Sequence, residues 1–234
     1  MAMSTVKFRD CVAILFDYGG TLDSDGEHWL DRFYELYRNI GLDLPESEIK
    51  RAFYHADRMS YSNSKVVQWG LRPLMEYHVH LQFEALDLND GGREKEMAEI
   101  FCSRSEDAMR QSTEILARLK NRYRLGLVSN FYGNLSILCR EAGWSDFLDP
   151  ILDSAQVGVS KPEPEIFQMA LRKLDLLPVQ VIFIGDSYER DMIPAREAGM
   201  KTIWLKGTHP RIPLNAGPVD ATILSLSELR ALVS

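Results

Sequence analysis

Short apolar runs alternate with segments of helical periodicity along most of this chain. The run VAILF at 12–16 is rich in branched residues and stops at a polar, glycine-containing turn, which is typical of a strand buried on both faces. Similar runs occupy 125–130, 181–186, 201–205 and 221–224. Helix-period segments begin at Gly133, Glu163 and Glu189. The alternation predicts an α/β fold built on a parallel sheet with right-handed crossovers.

The stretch between the first two predicted strands has a different pattern. Its apolar residues recur at helical spacing without a strand-like run, as in WLDRFYELYRNIG from Trp29 and EKEMAEIFCSRSEDAMRQ from Glu94. We therefore expect an all-helical cap domain over 25–114, inserted into an α/β core domain formed by 1–24 and 115–234. A segment rich in proline and glycine at 207–220 predicts a surface loop between the last two strands.

The composition is that of a soluble globular protein. Of the 234 residues, 45% are hydrophobic and 26% are charged, and the formal net charge is −7. That charge argues against nucleic acid or an anionic membrane surface as the main partner, because both prefer a basic face. The sequence carries no pattern that sets an oligomeric state.

The cysteines and the length of the apolar runs indicate in which cellular compartment we expect the protein. Cys11, Cys102 and Cys139 are far apart and form no CxxC pair, which fits a reducing environment and predicts no thiolate metal site. The start, MAMSTVKFRD, lacks a long apolar core, and no run approaches the ~18 apolar residues of a membrane span. We expect a cytoplasmic protein.

Polar residues follow the predicted strands, at the edge of the sheet where open α/β folds bind ligands. They are Asp17 with Thr21, Ser129 with Asn130, Lys161 beyond the short PILD run, and Asp186 followed by Asp191. Two acids, a hydroxyl and a lysine at separate strand ends suit a divalent cation beside a phosphoryl group. Carboxylate oxygens are ligands that Mg²⁺ prefers, and a carboxylate can also attack phosphorus to form an acyl phosphate.

The same residues lie in motifs of a known family. DYGGTLD, VSN, KPEPEIF and GDSYERDMIPAREAGMKTIWL occur in the order of the four motifs of the haloacid dehalogenase-like hydrolases, and the chain resembles that superfamily over nearly its whole length. The resemblance implies a Rossmann-like core with a helical cap between the first two motifs. It also implies that Ser129 binds phosphate through its hydroxyl, with Thr21 and Asn130 nearby, and that Lys161 stabilises charge.

The resemblance further implies a Mg²⁺ cofactor. Asp17 would be both nucleophile and metal ligand, the backbone carbonyl of Gly19 would also bind the metal, and Asp186 and Asp191 would complete the protein ligands. The GDSYERD form is similar to that of phosphatases that use Mg²⁺. It is unlike the metal-free dehalogenases, so we do not expect a carbon–halogen substrate.

Gly19 departs from the family pattern. Phosphatases of this superfamily usually have a second aspartate two residues after the nucleophile, which protonates the leaving group and activates water. General acid–base catalysis is worth ~10²–10⁴-fold. We therefore expect a hydrolase of small phosphorylated metabolites, through a phospho-Asp17 intermediate, that is weakened for poor leaving groups. One alternative is a binding or regulatory protein on the same scaffold, and another is a phosphonate hydrolase that uses Lys50 or Lys65.

Three of these residues also have a structural interpretation. Asp191 could cap a helix, Asn130 could shape the loop after Ser129, and Lys161 could be a solvated surface charge.

The sequence offers several candidates for substrate contact and for a carboxylate or imidazole that replaces the acid absent at Gly19. The polar and aromatic candidates for substrate contact in the cap are His55, Arg58, Trp69, Arg72, Tyr77 and His78. Asp23, Asp25 and His28 lie close to Gly19 in sequence and are candidates to replace its missing carboxylate.

Overall fold

The protein folds around a six-stranded, all-parallel sheet in the order β3-β2-β1-β4-β5-β6. A computed structural model describes residues 8–207 and 217–233, so most of the predicted loop at 207–220 lies outside the described residues. The strands are β1 (Ala13–Phe16), β2 (Arg124–Ser129), β3 (Leu148–Asp153), β4 (Val181–Gly185), β5 (Lys201–Leu205) and β6 (Ala221–Ile223). The predicted α/β class is confirmed.

Four long helices follow β1 and lie between it and β2. They are α1 (Trp29–Asn39), α2 (Glu46–Ser62), α3 (Leu71–Ala85) and α4 (Gly91–Leu119), and we call this segment, 29–119, the helical insertion. The remaining helices are α5 (Leu135–Glu141), α6 (Ser154–Val157), α7 (Pro164–Leu174), α8 (Ile193–Glu197) and α9 (Leu229–Leu232). The insertion is helical as predicted, and α4 continues beyond residue 114. The limits of two separate domains remain a prediction.

Both faces of the central strands are buried, as their apolar runs predict. Ala13 and Leu15 pack in a cluster with Ile166 and Phe167 of α7, whereas Ile14 and its neighbours belong to a second, larger cluster. The alternation follows from the two-residue period of a strand. Because both faces are covered, the carboxyl ends of the strands are the place where polar side chains from several strands can meet.

The helical insertion has an aromatic interior. Phe33 of α1 stacks on His78 of α3 and on Phe101 of α4, with ring centroids 5.5 and 5.1 Å apart. The His78 ring is fully buried, and burial lowers its pKa to about 3. Its Nδ1 lies 3.0 Å from the side-chain nitrogen of Gln82, while Nε2 has no hydrogen-bond partner among the described residues. His78 is therefore a core residue.

Within 8–207 and 217–233, no helix combines the length and the apolar character that crossing a bilayer requires.

Candidate active site

A tight turn at 18–22 follows β1 and holds Asp17 at the carboxyl edge of the sheet. The Tyr18 N–H donates to Oδ1 of Asp17 at 2.8 Å. Gly20 has φ +85°, which favours glycine, whereas Gly19 has φ −68° and ψ 125°, which any residue adopts. A Cβ on Gly19 would meet no heavy atom closer than Nε1 of Trp29, at 3.8 Å. The backbone therefore does not require glycine at position 19.

A buried lysine joins two of the predicted acids. Nζ of Lys161 lies 2.8 Å from Oδ1 of Asp17 and 2.6 Å from Oδ1 of Asp191. Burial opposes the charge on Lys161, but the two carboxylates outweigh it and raise the pKa of the ammonium group. Lys161 is 3% exposed, so it is not a solvated surface charge. Oδ2 of Asp191 accepts from the Ser187 N–H at 3.0 Å, which ties Asp191 to the loop after β4 and not to the start of α8.

Asp186 completes a cluster of three acids. One carboxylate oxygen from each of Asp17, Asp186 and Asp191 lies within 4.8 Å of the others. Loss of solvent and the neighbouring carboxylates raise the pKa of Asp186 well above its usual range, and burial raises the pKa of Asp191 to about 6. A Cβ on Gly20 would come within 2.4 Å of Asp186, so this glycine makes the close approach possible.

The predicted phosphate-binding residues lie around this cluster. The Thr21 hydroxyl is buried and donates to Oδ1 of Asp186 at 3.4 Å, and Ser129 lines the cleft above the strand ends. The Asn130 amide donates to the Lys161 carbonyl at 2.8 Å and accepts from the Lys161 N–H at 2.7 Å. Asn130 therefore shapes the loop that carries Lys161, which is the structural alternative the sequence left open. Its predicted contact with phosphate remains a prediction.

The acids open into a cleft of about 470 Å³ between the sheet edge and the helical insertion. Asp17, Lys161 and Asp186 line the sheet side. The other side is lined by His28, which precedes α1, by Trp29 and Asp31 of α1, and by three residues of α2. The α2 residues are Phe53, Tyr54 and Asp57. Three carboxylates face one lysine at the sheet side, and this excess of negative charge suits a hard divalent cation.

Comparison with known proteins assigns the family. A model of the haloacid dehalogenase-like hydrolases matches residues 11–199. The chain belongs to the haloacid dehalogenase-like hydrolase family. The match includes every residue of the acid cluster and Lys161, and the recognition made from the motifs is confirmed.

Two curated relatives are similar to parts of this haloacid dehalogenase-like hydrolase. The chain is 35% identical over 112 residues to haloacid dehalogenase-like hydrolase domain-containing protein 3 of Bos taurus, covering 47% of this chain and 45% of that protein. It is 31% identical over 140 residues to phosphoserine phosphatase of Thermus thermophilus, covering 56% and 55%. The matched stretch therefore spans about half the length of these curated relatives.

A solved dehalogenase with an intermediate complex has a TM-score of 0.66 to the hydrolase and covers 96% of this chain and 97% of its own. The two sequences are 20% identical, so this likeness shows the fold alone.

The candidate substitutes for the missing acid have different surroundings in the hydrolase. Asp23 is fully buried and accepts from the Gly20 N–H at 2.9 Å, the Ser24 hydroxyl at 2.7 Å and the Trp29 indole at 2.5 Å. Asp25 accepts from the Leu226 N–H at 2.6 Å, near the C-terminal turn. His28 lines the cleft, and its Nδ1 accepts from Leu30 N–H at the start of α1. The carboxylates of Asp23 and Asp25 therefore serve as hydrogen-bond acceptors that stabilise the fold.

The six side chains predicted for substrate contact in the cap are not among the residues that line the cleft. Trp69 packs on Tyr77 with ring centroids 5.2 Å apart, and Arg72 pairs with Glu99 on the surface. Lys50 and Lys65 are exposed and also lie outside the cleft lining.

Asp57, Tyr132 and Trp29 were missed by the sequence reasoning. The Tyr132 hydroxyl donates to Oδ1 of Asp57 at 2.5 Å, which connects α2 to the loop after β2 across the cleft. A signal for Asp57 was available, because it lies four residues after Phe53 and one after Ala56 on the buried face of α2. A carboxyl group beside the buried face of a helix needs a hydrogen-bond donor, and the Tyr132 hydroxyl is that donor.

Proposed function

We propose that this protein is a Mg²⁺-dependent phosphatase of small phosphorylated metabolites that works through a phospho-Asp17 intermediate. The observation that carries the proposal is the Asp17–Lys161–Asp191 contact, with 2.8 and 2.6 Å ion pairs, beside the third acid, Asp186. The relatives support phosphate esters, because phosphoserine phosphatase is among them. Nucleic acid and membrane surfaces are not expected partners, and the cytoplasm is the proposed location.

Asp17, Asp186 and Asp191 would hold the metal, with the carbonyl of Gly19 as a further ligand. Their oxygens lie within 4.8 Å of one another, and the crowding that raises the pKa of Asp186 is of the kind that a cation relieves. When bound, Mg²⁺ would screen the repulsion between a carboxylate nucleophile and a phosphate dianion.

The protein groups have separate tasks in this mechanism. An oxygen of Asp17 attacks phosphorus while the bond to the leaving oxygen breaks, and water then releases phosphate from phospho-Asp17. Lys161 neutralises the charge shared by Asp17 and the phosphoryl group. The hydroxyls of Ser129 and Thr21 bind phosphoryl oxygens, and Asn130 orients the Lys161 loop through its two hydrogen bonds.

A panel of phosphate esters tests the proposal. We expect phosphate release with Mg²⁺, faster for aryl and acyl phosphates than for alkyl phosphates, and none after chelation or in Asp17→Asn. Mg²⁺ alone should raise the unfolding temperature of the wild type because it binds the folded state, and Asp186→Asn should remove that shift. Absence of turnover across the panel, together with an unchanged unfolding temperature, would contradict the proposal.

A second candidate function is Mg²⁺-dependent binding of phosphorylated ligands without turnover, and Gly19 is the observation that favours it. Gly19→Asp discriminates the two, since the conformation of residue 19 accepts a side chain and no heavy atom lies within 3.8 Å of the added Cβ. Binding in the wild type, with turnover gained only in Gly19→Asp, would support the binding protein. The phosphonate alternative loses support because Lys50 and Lys65 lie outside the cleft lining.

A further inference from the structure

Asp57 is a half-buried carboxyl that faces the cleft from α2. Its Oδ1 accepts from the Tyr132 hydroxyl at 2.5 Å, and Tyr132 is itself 7% exposed. Tyr132 lies three residues after Ser129, so the hydrogen bond fixes Asp57 relative to the strand ends. This arrangement positions one carboxyl oxygen and leaves Oδ2 outside that hydrogen bond.

The charge environment of Asp57 differs from that of the sheet-edge acids. Within the described part of the chain, no ion pair includes Asp57. Burial raises its pKa, although the Tyr132 hydrogen bond and the charge of Arg190 act in the opposite direction. Besides Asp17, Lys161 and Asp186, the charged and titratable groups that line the cleft with Asp57 are His28, Asp31, Tyr54, Tyr132, Tyr188, Glu189, Arg190 and Lys206. Asp57 therefore retains a proton to higher pH than an exposed aspartate.

The position of the leaving group adds a second argument. In phosphoryl transfer the attacking and leaving oxygens lie roughly in line with phosphorus, so the leaving oxygen departs on the side away from Asp17. Asp57 lines the same cleft as Asp17, but it belongs to α2 of the helical insertion and not to the sheet edge. Gly19 offers no acid there, and Asp23 and Asp25 are held by other hydrogen bonds.

We propose that Asp57, oriented by Tyr132, donates the proton to the leaving oxygen and so replaces the acid absent at Gly19. The inference rests on the proposed phosphatase function. As the Asp17–phosphorus bond forms and the ester bond breaks, the Asp57 proton moves to the departing oxygen and a neutral alcohol leaves. The Asp57 carboxylate then takes a proton from the water that attacks phospho-Asp17, which releases phosphate and restores both side chains.

The test compares leaving groups. Turnover of 4-nitrophenyl phosphate is measured beside that of the best alkyl phosphate from the panel, in wild type and in Asp57→Asn. We expect the alkyl phosphate to lose ~10²–10⁴-fold and the nitrophenyl ester less than about tenfold, because nitrophenolate needs no proton to leave. The alkaline decline of kcat/KM for the alkyl ester should also disappear in Asp57→Asn.

Three further variants complete the design. Glu48→Gln, at an exposed acid in the first turn of the same helix, should leave both activities unchanged. Tyr132→Phe should weaken alkyl turnover selectively and to a smaller extent. Adding Gly19→Asp to Asp57→Asn should recover alkyl turnover at least about tenfold, because it returns a carboxyl to the usual position of the acid.

The outcomes separate the two proposals. If wild type releases no phosphate from either ester, the phosphatase function itself fails. If wild type hydrolyses both esters and Asp57→Asn slows both equally or neither, the function stands and the role of Asp57 is overturned. The same conclusion follows if wild type hydrolyses only the nitrophenyl ester, or if Asp31→Asn, and not Asp57→Asn, produces the selective loss.

Discussion

The sheet edge and the helical insertion hold their cleft-facing acids in opposite ways. At the sheet edge, Asp17 and Asp191 share the ammonium group of Lys161 at 2.8 and 2.6 Å. Across the cleft, Asp57 has the hydroxyl of Tyr132 and takes part in no ion pair among the described residues. The difference teaches that the acids on the sheet side share one buried lysine, whereas the acid on the insertion side is held by a neutral hydroxyl.

Removing the proposed nucleophile should have the largest effect on the sheet side. Asp17→Asn should reduce turnover of 4-nitrophenyl phosphate by more than about 10³-fold, because an amide cannot form the acyl phosphate. Phosphate release and trapping of a phosphorylated protein measure the effect. Asp57→Asn is the matched variant across the cleft and should keep most of this activity. Equal losses in the two variants would remove the proposed division between the sides.

Removing the ammonium group of Lys161 tests how strongly the buried carboxylates at the sheet edge depend on it. Lys161→Met should cost ~3–5 kcal/mol in the free energy of unfolding, because it leaves buried carboxylates without their partner. Urea unfolding without added metal measures this. Lys206→Met, at a half-buried lysine in the same cleft, should change the free energy by less than ~0.5 kcal/mol. A similar small change for both would show that the cluster does not depend on Lys161.

Two adjacent glycines sharpen the comparison within the turn after β1. Gly20→Ala should lower the free energy of unfolding by about 2 kcal/mol, because φ is +85° and the added Cβ would collide with Asp186. Gly19→Ala should be neutral or stabilising by up to ~1 kcal/mol, since its backbone is compatible with alanine. Thermal and urea unfolding of the two variants provide the measurement. Equal destabilisation would mean that Gly19 has a backbone role.

The last comparison concerns the interior of the helical insertion, where the expected effect appears only as a dependence on pH. The pKa of His78 falls from 6.5 to about 3 on burial, so the unfolded chain gains a proton first as pH decreases. Stability from this group is therefore present above pH 6.5 and is lost toward pH 3, at about 1.4 kcal/mol per pH unit. His78→Phe should flatten this dependence in urea unfolding between pH 7 and about pH 4. His80→Gln, at an exposed histidine, should retain the slope of the wild type.

Sequence reasoning was most successful at the strand ends, for a geometrical reason. Parallel strands deliver whatever follows them to one edge of the sheet, so Asp17 and Asp186 had to lie close together once β1 and β4 were neighbours. Lys161 was harder to place, since it follows the four-residue helix α6 and depends on the Asn130 amide for its position. Lys161 was predicted as a site residue from the order of the family motifs, because strand periodicity alone did not place it.

The insertion side of the cleft was not predictable in the same way. Helical periodicity shows which face of α2 is buried, but four helices must pack before one knows which part of that face meets the cleft. His78 and Trp69 were therefore predicted as substrate contacts and are packing residues, whereas Asp57 was not predicted. Trp29 belongs to the larger buried cluster, and its indole N–H also donates to Asp23.

The Asn130 side chain has a consequence for hydrogen exchange. Its amide both donates to and accepts from the backbone of Lys161, at 2.8 and 2.7 Å, as a neighbouring strand would. We therefore expect the Lys161 N–H to exchange slowly with deuterium although it belongs to a loop, because the loop opens only when Asn130, at the end of β2, releases it. The buried lysine that pairs with Asp17 and Asp191 should therefore share the local stability of the sheet.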